Sequence, residues 1–241
     1  MTALRVRRGG SGSPVLLLLH GLGATGDVWN GLLTELGERA WVAPDLPGHG
    51  GSAGLPRYTF AAVADAVANL VDPAGTIVVG HSFGGVVALH LAGRPGVRLV
   101  VGVGIKVAWT GSELARAAGL ADRPSAVHPT RADALARHLR VSGLDGLVAT
   151  DDPALDAAVR ETGGGWSPTF DPRAFGVGDP GVAALVAAAP VPVVLARGEH
   201  DPMVSAAQLA AVVPDPVELP GLGHNAHVER PAALLPLLVP R

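Results

Sequence analysis

The chain predicts an α/β fold, a mostly parallel central sheet flanked by helices, with a small helical cap. Three observations carry this. Short runs rich in Val and Leu recur between longer Ala-rich stretches, the pattern of strands buried on both faces alternating with covering helices. Each run ends near a Gly, Pro, Asp or His. Between Lys106 and Pro180 the alternation stops, and short helical patterns broken by Gly and Pro replace it.

In chain order the strands are expected at residues 4–8, 15–19, 41–43, 76–79, 98–103, 191–196 and 216–219. The stretch 5–14, rich in Gly and Ser, is read as a hairpin turn leading into the first central strand at 15–19. Helical patterns fall at 28–38, 60–70, 83–92, 182–188, 206–212 and 232–238, lengths that suit crossovers. Residues 106–180 add helical pieces at 113–118, 131–141 and 153–162. A structureless loop of that length does not suit a compact domain, so the segment is expected to fold over the sheet. The organisation is therefore a core from 1–105 and 181–241 with a helical cap, 106–180, inserted in it.

Composition narrows the function. Hydrophobic residues make up 48% of the 241, but aromatics only 4%, so Val, Leu and Ala must fill the core. With a net charge of −3 and Lys106 as its one lysine, the chain has no basic footprint for nucleic acid. Arg5, Arg7 and Arg8 precede only five apolar residues before His20, too few for a secretory signal, and no membrane span is visible. The absence of cysteine excludes disulfides and thiolate chemistry and suits a reducing cytoplasm, the expected compartment. A small-molecule substrate is the expected partner, and a homodimer stays open.

The chemistry concentrates at strand ends, where ligands of parallel sheets bind. Gly80-His81-Ser82-Phe83-Gly84 links the strand 76–79 to the helix 83–92, a G-x-S-x-G elbow in its required context. The glycines leave room for a sharp turn that exposes Ser82. A serine hydroxyl needs an imidazole to take its proton, and the imidazole needs a carboxylate to orient it. Downstream, Arg197-Gly198-Glu199-His200-Asp201-Pro202 offers Asp201, with Glu199 as rival, and Gly221-Leu222-Gly223-His224-Asn225-Ala226-His227 offers His224, with His227 as rival. The amides of Leu22, in His20-Gly21-Leu22-Gly23, and of Phe83 are candidate donors to a developing oxyanion. His20 reads as a brace between loops.

These motifs, with Asp45-Leu46-Pro47-Gly48-His49-Gly50 between them, keep an order that resembles the α/β-hydrolase superfamily over nearly the whole chain. The resemblance implies the α/β-hydrolase fold, a nucleophile–acid–histidine triad of Ser82, Asp201 and His224, no cofactor, and a cap after the strand that follows the nucleophile helix. Serine at position 82 departs from those members with a carboxylate nucleophile, and the first strand of the family looks very short or missing. No metal is expected, since His200, His224 and His227 match no usual zinc spacing.

The expected activity is cleavage of a carboxylic ester or similar acyl bond of a small, largely apolar substrate. Lactones, thioesters and carbon–carbon bonds remain alternatives, as does a receptor that keeps the triad. Trp29, Lys106, Trp109 and Trp166 are the candidate substrate contacts, with Phe170 and Phe175 near the mouth. Lys106 follows a strand end and is a candidate to hold a substrate carboxylate.

Overall fold

The computed structural model describes residues 2–239. The chain runs β1 (Val6–Gly9), β2 (Ser11–Leu19), a 3₁₀ turn (Gly26–Trp29) into α1 (Asn30–Glu35), β3 (Arg39–Pro44), α2 (Phe60–Val67), β4 (Thr76–His81), α3 (Phe83–Leu91) and β5 (Val97–Val103). After an insertion come α6 (Val182–Ala188), β8 (Val193–Gly198), α7 (Ala206–Ala210), β9 (Val217–Leu219), α8 (Ala226–Glu229) and a terminal 3₁₀ segment (Pro231–Leu238). The insertion holds α4 (Gly111–Ala121), α5 (Arg131–Ser142), the strands β6 (Val159–Thr162) and β7 (Gly165–Pro168), and 3₁₀ turns.

Among the described residues seven strands form one sheet in the order β1-β3-β2-β4-β5-β8-β9. All neighbours are parallel except β1 and β3. The run of four leucines in β2 is explained by its two buried faces. Leu17 and Leu19 enter the core on one side, with Val78, Val87 and Leu91, while Leu16 and Leu18 enter the other, with Ile77, Val79 and Trp29. A residue period of two thus serves two cores at once. The insertion has its own smaller cluster around Leu135, Leu139, Leu144 and Leu155. Among the described residues no helix is long and apolar enough to cross a membrane.

Three expectations are corrected. β1 does not pair with β2 as a hairpin: it lies antiparallel beside β3, Val6 opposite Pro44. Arg5 explains part of this, because its guanidinium reaches Asp27, in the turn after β2, at 2.8 Å and Asp45, beyond the β3 end, at 3.1 Å. The third helical piece of the insertion is a single 3₁₀ turn (Pro153–Leu155) followed by the β6–β7 hairpin. Its two-residue Gly163-Gly164 loop sits between β-branched and aromatic residues, which favours hairpin over helix. The patterns at 28–38 and 232–238 are largely 3₁₀ or short, the latter with Pro236 inside it, where a missing amide forbids a regular α-helix.

Candidate active site

β4 runs fully buried to His81, and α3 begins one residue after Ser82. Ser82 has φ 49° and ψ −113° and is the one non-glycine residue with positive φ among the described residues. Such a conformation costs on the order of 1–3 kcal/mol and persists only where the surroundings enforce it. Here they do so by contact. A Cβ on Gly80 would lie 2.2 Å from the Gly84 oxygen, and one on Gly84 would lie 2.4 Å from the carbonyl oxygens of Leu19 and His20. The Ser82 amide donates to Val103 O at 2.8 Å, pinning the elbow to β5.

The loops after β8 and β9 meet beside it. Both carboxylate oxygens of Asp201 lie 3.1 Å from His224 Nδ1. In the neutral ring this pairing puts the proton on Nδ1 and leaves Nε2 as the acceptor. The Asp201 side chain is fully buried, whereas 20% of the His224 side chain remains exposed. Met203 N donates to Asp201 Oδ1 at 2.8 Å. Arg197, itself buried, stiffens the same loop by donating to Val204 O and Glu199 O. Glu199 is exposed and accepts from Gly221 N at 2.8 Å, which ties the two loops together away from the His224 ring.

Two residues that hold His224 were not singled out by the sequence. Glu229 accepts from the amides of Gly223 (2.6 Å) and Asn225 (3.1 Å), clasping the loop from both sides of the histidine. His81, the variable residue of the elbow, donates from Nε2 to the His224 carbonyl at 3.0 Å. Its proton affinity is held well below the ordinary value, first by burial and then by His227 and His224. The signal for Glu229 was only its spacing of five residues from His224, which gains meaning once α8 is in place. His227 is buried with its ring 4.1 Å from His81 and 4.8 Å from Trp29, and burial lowers its pKa to about 3.

His20 braces loops as expected: Nδ1 donates to Gly21 O at 2.8 Å and Nε2 accepts from Leu46 N at 2.9 Å. Asp45, in the same loop, accepts from the amides of Gly26 and Gly51 (2.7 and 2.9 Å). These contacts fix the turn carrying Leu22. Among the described residues neither the Leu22 amide nor the Phe83 amide has a protein acceptor, the latter being an orphan donor of a helix start.

Ser82 and His224 both open onto a cavity of about 540 Å³ between the sheet ends and the insertion. No hydrogen bond joins the Ser82 hydroxyl to His224 among the described residues; such bonds are commonly loose before substrate binds. Leu22, Phe60, Phe83, Val86, Trp109 and Phe175 contribute an apolar wall. Of the expected substrate contacts, Lys106 and Trp109 line this cavity, whereas Trp29 and Trp166 do not. Trp29 is fully buried in the core beneath the sheet, and Trp166 sits in β7, bridged to His128 and packed on the insertion's own cluster. Phe170 packs on His49 and Phe175, at 5.0 and 5.2 Å. Among the described residues no group of three or more His, Asp or Glu side chains is arranged to hold a metal ion.

The chain belongs to the α/β-hydrolase family, whose profile, described as "Alpha/beta hydrolase family", matches residues 16–237. It is similar to the lipase LipV of Mycobacterium tuberculosis, 45% identical over 89 residues, or 36% of this chain and 34% of that one. It is also similar to the pimeloyl-(acyl-carrier protein) methyl ester esterase of Chromobacterium violaceum, 44% identical over 82 residues, 34% of this chain and 32% of that one. The matches thus span about a third of the length of these curated relatives. Among solved structures, an E-2-(acetamidomethylene)succinate hydrolase superposes with a TM-score of 0.81 at 25% identity, over 98% of this chain and 93% of that one. An esterase from Mycobacterium tuberculosis superposes at 0.73 with 24% identity, over 98% and 89%, a likeness of fold alone. Its curated relatives thus include proteins named as a lipase and an esterase.

Proposed function

We propose that this hydrolase cleaves a carboxylic ester or similar acyl bond of a small, largely apolar substrate through an acyl-enzyme on Ser82, beneath a cap formed by residues 106–180. The observation that carries the reading is the strained Ser82 elbow, opening onto the same cavity as a histidine whose Nδ1 faces a buried carboxylate. In this reading His224 Nε2 takes the Ser82 proton as the hydroxyl attacks the carbonyl, and Asp201 stabilises the imidazolium that forms. The amides of Leu22 and Phe83 receive the oxyanion, each such donor contributing about 3 kcal/mol to the transition state. His224 then protonates the leaving alcohol, and water, deprotonated by the same ring, releases the acid and restores Ser82. The apolar wall supports an acyl pocket, and the esterase and lipase names of the relatives agree with it.

The test is turnover of short p-nitrophenyl esters by wild type and Ser82→Ala, with intact mass after a fluorophosphonate. Turnover and a single label are expected in wild type, and both are expected to vanish in the variant. A folded wild type that neither turns over nor labels overturns the reading.

A further inference from the structure

We propose that the substrate also carries a carboxylate, held by Arg116 and Arg140 at the cavity rim; this deepens the acyl-hydrolase reading and rests on it. Among the described residues, Lys106, Arg116 and Arg140 are the lysine and arginine side chains of the cavity lining, and Glu113 is its one acid. Lys106 is already engaged. Its ammonium pairs with Glu113 Oε1 and lies 4.8 Å from the centre of the Trp109 ring. The second Glu113 oxygen accepts from Thr110 N at 2.9 Å, closing a capping box on the first turn of α4. The acid and the lysine therefore neutralise each other inside one structural unit.

Arg116 on α4 and Arg140 on α5 are left uncompensated. Among the described residues Arg116 has no hydrogen-bond partner and Arg140 has only its Nε on Ala136 O, at 3.1 Å. An exposed arginine needs no partner; what marks these two is their place on the wall of a largely apolar cavity whose acid is spent. Two positive charges at the rim of an apolar cleft draw anions toward it, and the planar guanidinium fork matches a carboxylate. With the scissile carbonyl at Ser82 and an apolar chain along Val86, Leu114 and Phe175, the substrate class is the half-ester of a dicarboxylic acid. Ser82 Oγ displaces the alcohol, water then displaces Oγ, and the products are that alcohol and a dicarboxylate.

The experiment compares kcat and KM for p-nitrophenyl octanoate and the p-nitrophenyl half-ester of octanedioic acid, matched in chain length. Wild type is set against Arg116→Ala/Arg140→Ala and against Arg123→Ala/Arg137→Ala, two arginines that line an adjoining smaller cavity instead. Wild type should prefer the half-ester, and the preference should weaken with salt. Removing Arg116 and Arg140 should raise KM for the half-ester about tenfold more than KM for the octanoate, and lysines at both positions should restore part of it. The Arg123/Arg137 variant should stay within about twofold of wild type on both esters. Turnover of the octanoate with no preference for the half-ester overturns the carboxylate proposal alone, as does an equal loss in both alanine variants, which would reflect only the general field of the cap. Failure of wild type to turn over either ester overturns the hydrolase reading itself.

Discussion

Both oxygens of Asp201 lie 3.1 Å from His224 Nδ1, and one of them also takes the Met203 amide. A carboxylate so held keeps one imidazole tautomer and one ring orientation. Asp201→Asn keeps the shape but presents an amide that no longer enforces the tautomer, so kcat should fall by roughly 10³–10⁴ with the folded state intact. A variant with near-wild-type kcat would remove Asp201 from the mechanism. At this scale the sequence showed which loops carry acids and histidines but could not rank them fully. Glu199 and Asp201 share a loop, and His224 and His227 share another; burial and partners separate each pair, and these depend on how two distant loops meet. Trp29 shows the same limit. An aromatic residue at the start of a helical pattern suits a pocket or a core equally well, and here the second core beneath the sheet takes it.

The elbow between β4 and α3 was legible because its glycines are demanded by local sterics. Gly84 has no room for a methyl group against the Leu19 and His20 carbonyls, so Gly84→Ala should destabilise by at least about 2 kcal/mol. Gly119, inside α4, has nothing within 4 Å of an added Cβ. Gly119→Ala should instead stabilise by up to about 1 kcal/mol, as helix propensity dictates. Urea midpoints of the two variants check both signs, and equal shifts would contradict the argument. The β6–β7 hairpin was missed although Gly163-Gly164 marked it, because the surrounding residues were read with the helical pattern of the insertion. The seat of β1 beside β3 had no local signal at all. It is made by the ladder with β3 and is accompanied by the Arg5 contacts with Asp27 and Asp45, 22 and 40 residues away.

Among the described residues, five histidines are buried: His20, His49, His81, His138 and His227. Burial is the first cause that lowers each, His20 and His138 to about 4, His49 and His227 to about 3, and His81 well below the ordinary value. Unfolded, each titrates near about 6.5. Below that pH the unfolded chain binds protons that the folded chain refuses until its own lower pKa, so stability is lost as pH falls through this window. Each histidine contributes up to about 1.4 kcal/mol per pH unit to the loss. Urea unfolding at pH 7.5 and pH 5 should therefore show a clearly lower midpoint at pH 5. An unchanged midpoint would mean that these rings are protonated in the fold.

The alternating α/β order, the elbow and the loops that bear the candidate triad could be read from the chain alone, because each is written in contiguous residues through period, turn sterics and strand ends. Which acid faces which histidine, the pairing of Lys106 with Glu113, and the cavity that Arg116 and Arg140 share with Ser82 emerge only in the folded chain. Those facts join residues far apart in the chain, and their energies depend on burial and distance, which no single segment encodes.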